Sequence, residues 1–322
     1  MKPSDPIPDP LSTNETLDLD SAKALAENSE LSTSSESSTA PGGAKSSDPL
    51  QLIGSRLEHH EIIGLLGQGG MGCVYRARDV SLERDVALKV FSDKEILQSA
   101  ELVDAFIHEA RSQARINHPG IATIHYVGNV RGMPYFAMEL VPGADLASQL
   151  EDESPPPFAT VVDIGLQVTR ALREAERNGV IHRDVKPGNI IVSKTGTAKL
   201  TDFGLSKTES GGVQITGSQK ITGTPAYVSP EQARGERTDH RSDMYSLGAT
   251  LFHVAYGRPP FAGETPLAVI SKHLADPVEF PTSGGSGVPA QFQSLVARLM
   301  SKRPEERYSS YDELEAALED VH

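Results

Sequence analysis

Beyond about residue 57, strand-like and helix-like runs fall into two blocks along the chain. Short runs with strand character come first, at residues 60–66, 73–79, 86–91, 121–127 and 135–140. One helix-like stretch, over residues 100–116, interrupts them, and the chain after residue 141 is mainly helical, for example over residues 158–178 and 291–300. Early strands with one helix, followed by many helices, predict an α+β protein of two lobes.

The first 50 residues have a different composition from the rest of the chain. They hold 15 Ser or Thr, 6 Pro, 9 acidic residues and 3 Lys, and the first aromatic residue is Tyr75. A segment with so few large apolar side chains cannot offset the entropy of ordering it. Residues 1–55 are therefore predicted to be disordered.

The overall composition excludes several classes of protein. The single cysteine, Cys73, cannot form an internal disulfide, so a disulfide-stapled secreted scaffold is excluded. A net charge of -14 argues against binding nucleic acid or an anionic membrane by bulk charge. No apolar run approaches the roughly 18 residues of a membrane span, and the first ten residues lack the apolar core of a signal peptide. We therefore expect no transmembrane segment and a cytoplasmic protein.

A glycine-rich motif lies between the first two strand-like runs. Gly67, Gly69 and Gly72 follow the spacing G-x-G-x-x-G, which lets backbone amides approach phosphate oxygens closely. Alone, this motif is weak, and a glycine-rich hairpin without function is an equal alternative. Because a strand rather than a helix follows it, a dinucleotide-binding turn is disfavoured.

A lysine ends the next strand-like run. Lys89 follows Val86, Ala87 and Leu88, and a lysine in such a place is usually only a surface residue. Glu109 lies 20 residues further on, in the helix-like stretch. A cation from a strand and a carboxylate from a helix can pair, which would hold Lys89 against phosphate groups.

The most specific motif lies in the second half of the chain. His182, Arg183, Asp184 and Asn189 occur at fixed spacing before an apolar run, and Asp202, Phe203 and Gly204 follow in sequence. Any one of these residues is easily explained as a cap or a solvated charge. Caps and solvated charges do not explain why all of these residues occur together, in this order and after the two earlier motifs.

This set of motifs resembles the eukaryotic-type protein kinase family, and in detail its bacterial Ser/Thr members. The likeness extends from about residue 60 to 319, and includes an activation-segment end at residues 223–231 and a central helix at 242–248. It also includes Arg307, which lies where the family pairs an arginine with the glutamate of that segment end, Glu231. It implies a two-lobed kinase fold over residues 58–320. The implied N-lobe, 58–141, is β-rich with one main helix, and the implied C-lobe, 142–320, is mainly helical.

The resemblance implies catalytic roles for four residues. Asp184 would accept the proton of the substrate hydroxyl, and Lys186 would offset charge on the transferred phosphoryl group. Lys89, oriented by Glu109, would hold the α- and β-phosphates of ATP. Phosphoryl transfer develops negative charge, so a site for it needs cations, a metal and one positioned carboxylate.

The resemblance also implies the metal and nucleotide contacts. Asn189 and Asp202 would bind Mg²⁺, with Mn²⁺ as an alternative. Met138 would lie at the back of the adenine pocket, and residues 139–141 would form the hinge. The full implied set of ATP-binding residues comes from both lobes: Leu66, Gly67, Gly69, Gly72, Val74, Ala87, Lys89, Met138, Glu139, Val141 and Ile191.

The implied activity is transfer of the ATP γ-phosphate to Ser or Thr of proteins. Lys186 two residues after Asp184, together with Thr224, is the Ser/Thr-type pattern. One alternative is a pseudokinase that binds nucleotide or partners without catalysis, although such proteins usually lack one of the key residues. A small-molecule phosphotransferase is a further alternative, disfavoured by the segment 224–231.

The stretch from Asp202 to Glu231 is rich in Gly and hydroxyl residues, and long loops of this kind are usually functional. Thr216, Ser218 and Thr222 are candidate autophosphorylation sites within it, although they are also explained as ordinary loop hydroxyls. A phosphate there would have the Arg183 guanidinium as a partner. The partner for autophosphorylation in trans would be a second copy of the chain, in a homodimer.

Four further residues carry open alternatives. Gln113 lies where the family often has an apolar residue, so it is either tolerated or lowers basal activity. Cys73 is either a small strand residue or a reactive thiol. His59 and His60 are adjacent, which suits one metal site poorly, so we expect both to be solvated.

Overall fold

Six antiparallel strands of the described residues form the sheet of the N-terminal lobe, in the order β1-β2-β3-β4-β6-β5. The strands and the helix of this lobe are β1 (Arg56–Leu57), β2 (His60–Gly69), β3 (Gly72–Asp79), β4 (Arg84–Phe91), α1 (Ala100–Gln113), β5 (Ile124–Val130) and β6 (Met133–Glu139). The computed structural model of the chain describes residues 48–69, 72–92, 97–152, 154–203, 225–281 and 287–322. The side chains of residues 101, 102, 105, 106, 109 and 152 lie outside that description.

Side chains alternate across β4 because successive residues of a strand point to opposite faces of the sheet. Val86 and Leu88 pack into an apolar cluster on one face. Ala87 and Phe91 pack into a second cluster, which includes residues of α1. Lys89 shares the parity of Ala87 and Phe91, so the strand directs its side chain to the face that carries α1.

The C-terminal lobe combines a three-stranded antiparallel sheet with a helical core. Its elements are β7 (Ala144–Asp145), α2 (Leu146–Asp152), α3 (Phe158–Arg177), β8 (Ile190–Val192), β9 (Ala198–Leu200), α4 (Pro230–Arg234), α5 (His240–Tyr256), α6 (Pro266–Ala275), α7 (Ala290–Leu299) and α8 (Tyr311–Glu319). Helix α5 is the centre of this core, since thirteen of its seventeen residues are buried. The α+β architecture of two lobes is as predicted.

Residues 48–55 differ from the prediction that the first 55 residues are disordered. The Leu52 side chain is fully buried in the cluster that holds Val86 and Leu88. The Tyr75 hydroxyl donates to Asp48 Oδ1 at 2.6 Å, and the Ile53 N–H donates to Asp48 Oδ2 at 2.7 Å. This segment therefore packs on the N-terminal lobe, while residues 1–47 lie outside the described part of the chain.

In the described ranges, no helix combines the length and the apolar character that crossing a bilayer would require.

Candidate active site

A short hairpin brings the predicted catalytic and metal-binding segments together. Pairing of Ile190 with Leu200 aligns the loop before β8 with the residues after β9. The Thr201 N–H donates to the Asn189 carbonyl at 2.9 Å, which extends the alignment beyond the strands. Asp184 and Asp202 consequently lie at the same end of the β8–β9 hairpin.

The Asp184 carboxylate is held by two neighbours from its own loop. The Lys186 Nζ lies 2.7 Å from Asp184 Oδ2. The Asn189 Nδ2 donates to the same oxygen at 2.9 Å and to the Asp184 carbonyl at 2.8 Å. All three side chains were predicted to form the site, and the structure brings them into contact.

His182 fixes the loop from within the core. Its buried ring accepts from the Asp184 N–H through Nδ1 at 3.2 Å, and its Nε2 lies 3.1 Å from the Thr201 carbonyl. Because Nδ1 accepts from an N–H, the proton is assigned to Nε2. The ring also packs on Phe203 with 4.4 Å between ring centroids, so His182 links the segments before β8 and after β9.

The backbone of the same loop is held by helix α5. The Asp243 carboxylate accepts from the N–H groups of His182 and Arg183, each at 2.7 Å. These bonds hold Arg183 at a φ of 63°, a left-handed conformation that a non-glycine residue adopts at a cost of about 1 kcal/mol. Asp202 is also left-handed, with a φ of 53°. Non-glycine residues in this conformation concentrate at functional sites.

Lys89 reaches the C-terminal lobe. Its Nζ lies 2.7 Å from Asp202 Oδ1, so an ion pair joins strand β4 to the segment after β9. The predicted partner Glu109 belongs to α1, and its side chain lies outside the described part of the chain.

The residues expected to contact adenine line neighbouring strands. Val74 lies opposite Lys89 in the β3–β4 register, and Ala87 lies opposite Met138 in the β4–β6 register. Val74 packs against the cluster to which Ala87 and Met138 belong. Val141 is buried just beyond β6. Of the other expected contacts, Leu66 is half exposed and Ile191 is partly buried in β8.

The three glycines of the motif have different surroundings. A Cβ added to Gly67 or Gly69 would meet no atom of the described residues within 4 Å. A Cβ on Gly72, whose φ is 153°, would lie 2.0 Å from the Val90 carbonyl oxygen. Gly72 is therefore required by the close approach of β4, whereas Gly67 and Gly69 leave open space above the sheet.

Glu139 makes a contact that the sequence did not indicate. Its carboxylate accepts from the Lys199 Nζ at 2.7 and 2.8 Å, which ties the end of β6 to β9. Its N–H donates to the Thr123 carbonyl at 2.8 Å. The expected contribution of Glu139 to the hinge is through its backbone, and the side chain instead connects the two lobes.

Five predicted positions lie outside the described residues. They are Gly204, the candidate phosphorylation sites Thr216, Ser218 and Thr222, and Thr224.

A protein-family model described as "Protein kinase domain" matches residues 60–319. The chain belongs to the protein kinase family. This match agrees with the likeness inferred from the motifs, and the resemblance to bacterial Ser/Thr kinases is confirmed by the relatives that the chain matches.

Curated relatives of this kinase come from several bacteria. It is 36% identical over 269 residues to serine/threonine-protein kinase PknB of Mycobacterium leprae, covering 82% of this chain and 43% of the relative. It is 35% identical over 271 residues to the probable serine/threonine-protein kinase CPE1738 of Clostridium perfringens, covering 84% of this chain and 39% of the relative. The chain thus spans less than half the length of these relatives.

A solved structure supports the two-lobed kinase fold. The crystal structure of a mutant form of the Mycobacterium tuberculosis PknI kinase domain matches with a TM-score of 0.64 at 27% identity. The match covers 84% of this chain and 98% of that one.

A buried ion pair supports the end of the kinase activation segment. Arg307 Nη1 and Nη2 lie 2.7 and 2.9 Å from the two carboxylate oxygens of Glu231, and the Ser242 hydroxyl donates to Glu231 Oε1 at 2.6 Å. Burial alone would raise the pKa of the Glu231 carboxyl, but the hydrogen bonds and charge of Arg307 hold it below its ordinary value. The predicted pairing of Arg307 with this glutamate is present.

Two residues that position the loop holding Asp184 were not identified from the sequence. Asp243 was placed in the central helix but given no role. Gln232 Nε2 donates to the Arg183 carbonyl at 2.9 Å, so helix α4 also contacts the loop. Both residues lie at least 49 positions from the loop residues that they contact, and no local pattern indicates such a contact.

Proposed function

We propose that this kinase transfers the γ-phosphate of ATP to Ser or Thr hydroxyls of protein substrates. The observation that carries the proposal is the convergence of Asp184, Lys186, Asn189, Lys89 and Asp202 at one end of the β8–β9 hairpin. The names of the bacterial relatives support Ser/Thr as the acceptor residue.

Asp184 would act as the residue that accepts the proton of the attacking hydroxyl. Its carboxylate is already oriented by Asn189 and Lys186, so it loses little freedom when a substrate binds. The Lys186 ammonium lies beside the Asp184 carboxylate and would offset the negative charge that develops during transfer.

The residues present fit a hard divalent cation such as Mg²⁺ or Mn²⁺. Asn189 and Asp202 offer amide and carboxylate oxygens, the ligands that these ions prefer. The Asn189 Nδ2 is engaged with Asp184, so its amide oxygen is the atom left for a metal. Asp202 already contacts a cation, the Lys89 ammonium. When bound, the metal would neutralise charge on the phosphate oxygens.

ATP would lie between the lobes under the β2–β3 hairpin. Val74, Ala87 and Met138 provide an apolar surface for adenine, and the backbone of residues 139–141 offers the hydrogen-bonding groups of the hinge. Leu66 and Ile191 would close on the base from either side. Lys89 would hold the α- and β-phosphates, and the open space over Gly67 and Gly69 leaves room for the phosphate chain.

We also propose that residues 58–320 form the catalytic domain and that Thr216, Ser218 or Thr222 is autophosphorylated in trans by a second copy of the chain. Arg183, which precedes Asp184, supplies the guanidinium that would pair with such a phosphate. Phosphate mapping of the wild-type protein and of an inactive variant tests this, because only the active protein should carry phosphate at these sites.

The central test compares phosphate incorporation into a generic protein substrate by wild type and Asp184→Asn, with radiolabelled ATP and Mg²⁺. Asp320→Asn, an exposed site on the last turn, is the matched control. We expect wild type and the control to label Ser and Thr, and Asp184→Asn to lose at least about a hundredfold in rate. Equal labelling by all three proteins would refute the assigned base.

The same proteins distinguish an active kinase from a pseudokinase. A thermal shift with ATP and Mg²⁺ but no phosphate transfer by wild type would indicate a nucleotide-binding scaffold. Transfer to a small molecule but to no protein would indicate a small-molecule phosphotransferase.

A further inference from the structure

A cluster of metal-binding side chains lies at the end of the N-terminal sheet that is remote from the glycine motif. His59, His60 and Asp79 each offer one ligand atom, and these atoms all lie within 4.8 Å of one another. His60 and Asp79 face each other across the β2–β3 ladder. Gly67 lies seven residues after His60 on strand β2, so at about 3.3 Å per residue the cluster is about 23 Å from the start of the glycine motif.

The prediction that both histidines are solvated is wrong for His60, which is only 1% exposed. Adjacent histidines suit one metal site poorly within a strand, where successive side chains point in opposite directions. His59 instead belongs to the turn between β1 and β2, where Glu58 is left-handed with a φ of 52°. The turn brings both rings to the same side, with 4.0 Å between their centroids.

The His60 imidazole is buried, and its contact with the Leu57 backbone compensates that burial only weakly. Among the described residues, neither of its ring nitrogens has a hydrogen-bond partner of ordinary length and angle. Its surroundings are aromatic, with the Tyr126 and Tyr135 rings 5.6 and 6.0 Å away. Burying an unpaired polar group is costly, so the arrangement calls for a ligand that engages a ring nitrogen.

The Asp79 carboxylate is buried and held in one orientation. The Leu82 and Ser81 N–H groups donate to its Oδ1 at 3.1 and 3.0 Å. Asp79 is 3% exposed, so the side chain has little freedom to turn away from the two imidazoles. Its second oxygen, Oδ2, makes no hydrogen bond to these two groups and can serve as a metal ligand.

We propose that His59, His60 and Asp79 form a binding site for a divalent transition-metal ion, with Zn²⁺ as the best match to two imidazoles and one carboxylate. A water molecule would complete a tetrahedral set. Ligand atoms around zinc are about 3.4 Å apart, so the cluster must contract by about 1.4 Å at most. Rotation of His59, which is only partly buried and lies in a turn, supplies that movement.

The nearest competing cation is Arg84. Its Nε lies 4.0 Å from Asp79 Oδ2 and forms no hydrogen bond among the described residues. This contact is too long for a strong ion pair, so a metal can replace it at small cost. Glu58, on the same turn as His59, adds negative charge near His60. The bound ion would cross-link the β1–β2 turn to the end of β3. It would stabilise the N-terminal lobe at a place remote from the candidate active site.

The test uses the full chain without an affinity tag, freed of metal by a chelator. Zn²⁺ is added to wild type, His59→Ala, His60→Asn and His322→Ala, and bound zinc and the midpoint of thermal unfolding are measured. His322 is the control because its Nε2 lies 3.1 Å from Asp163 Oδ1 and both side chains are exposed. Unspecific zinc binding to a surface His–Asp pair would be lost in this variant. Mg²⁺ serves as the control ion.

We expect wild type and His322→Ala to bind one Zn²⁺ and to gain about 5 °C in Tm at a zinc concentration about a hundredfold above Kd. Without zinc, His59→Ala should have the same Tm as wild type. Its affinity for Zn²⁺ should be at least about tenfold lower. His60→Asn should lose the zinc-dependent gain, and Mg²⁺ should give none. No saturable binding by wild type, or equal affinity of wild type and His59→Ala, would overturn the proposal.

Discussion

The Lys89 ammonium lies 2.7 Å from Oδ1 of Asp202 and thereby joins the middle of the N-terminal sheet to the segment that follows β9. A second pair, Lys199 with Glu139, also connects the two lobes. The two lysines have similar exposure but different surroundings. Lys89 lies on β4, beside the place between the lobes where ATP is proposed to bind. Lys199 lies on β9 and contacts the end of β6.

Lys89→Met should therefore lower kcat/KM for protein phosphorylation at least about a hundredfold, because it removes a cation beside the developing charge. Lys199→Met should retain kcat and lower the free energy of unfolding by no more than about 1 kcal/mol. Steady-state kinetics and urea unfolding of both variants check the contrast. Similar kinetic losses in the two variants would contradict it.

Asp243→Asn should slow catalysis without weakening ATP binding. The Asp243 carboxylate accepts from two backbone N–H groups of the catalytic loop, and an amide at this position presents a donor to one of them. We expect kcat to fall at least about tenfold, from a loss of about 1.5–3 kcal/mol in hydrogen bonding to a charged group. KM for ATP should change little. Asp239→Asn on the same helix keeps its N-cap and should retain wild-type kcat.

The Glu231–Arg307 pair predicts a strong asymmetry between single and double variants. Glu231→Gln leaves the buried Arg307 charge unpaired and should cost about 3–5 kcal/mol in the free energy of unfolding. The double variant Glu231→Gln/Arg307→Met should recover part of that loss. Urea unfolding of both proteins measures the difference. A double variant less stable than Glu231→Gln would show that Arg307 contributes mainly through its bonds to Ser301 and Arg241.

Gln113→Leu should stabilise the kinase. Gln113 is 2% exposed, its single described hydrogen bond to the Ala122 carbonyl is 3.4 Å long, and its Oε1 has no partner among the described residues. Relieving an unsatisfied buried oxygen should add about 1 kcal/mol and raise Tm by about 2–4 °C. Gln167→Leu, which removes bonds of 2.9 Å to Gly196 and Ala198, should instead lower Tm. A loss of Tm in Gln113→Leu contradicts this account.

The stability of the fold should decrease as the pH falls below 6.5. Burial, assisted by the Lys302 ammonium, lowers the pKa of His273 to about 3 from an ordinary 6.5. Between these two pKa values His273 is protonated in the unfolded chain and neutral in the folded chain, so a lower pH favours unfolding. The loss approaches about 1.4 kcal/mol per pH unit. His273→Phe should flatten the dependence by one proton relative to wild type, measured by urea unfolding across this range. Equal slopes would place the pKa of His273 near its ordinary value.

The sequence predicted which residues of the candidate site lie together, because the parts of that site are local. Asp184, Lys186 and Asn189 lie within six residues of one another, and a short hairpin is enough to add Asp202. The order of strand-like and helix-like runs likewise predicted two lobes, since it follows from the periodicity of apolar residues along each element.

Features that depend on distant contacts were missed. Leu52 follows a long polar segment, and its burial depends on the cluster formed by β2, β3 and β4. Asp243 contacts a loop about 60 residues earlier in the chain. The position of His59 depends on a left-handed residue in a turn, which the neighbouring side chains do not reveal.

The close approach of Gly72 to the Val90 carbonyl changes how a genetic screen of this kinase should be interpreted. An alanine allele at Gly72 would force the β3 and β4 backbones apart and destabilise the sheet, so its loss of function could not be assigned to lost ATP binding. Alanine at Gly67 or Gly69 would meet no described atom of the sheet, so these alleles report on the proposed nucleotide contact. The three glycines of the motif would thus differ in effect. Substitution of Gly72 would lower the amount of folded kinase, and substitution of Gly67 or Gly69 would lower its activity.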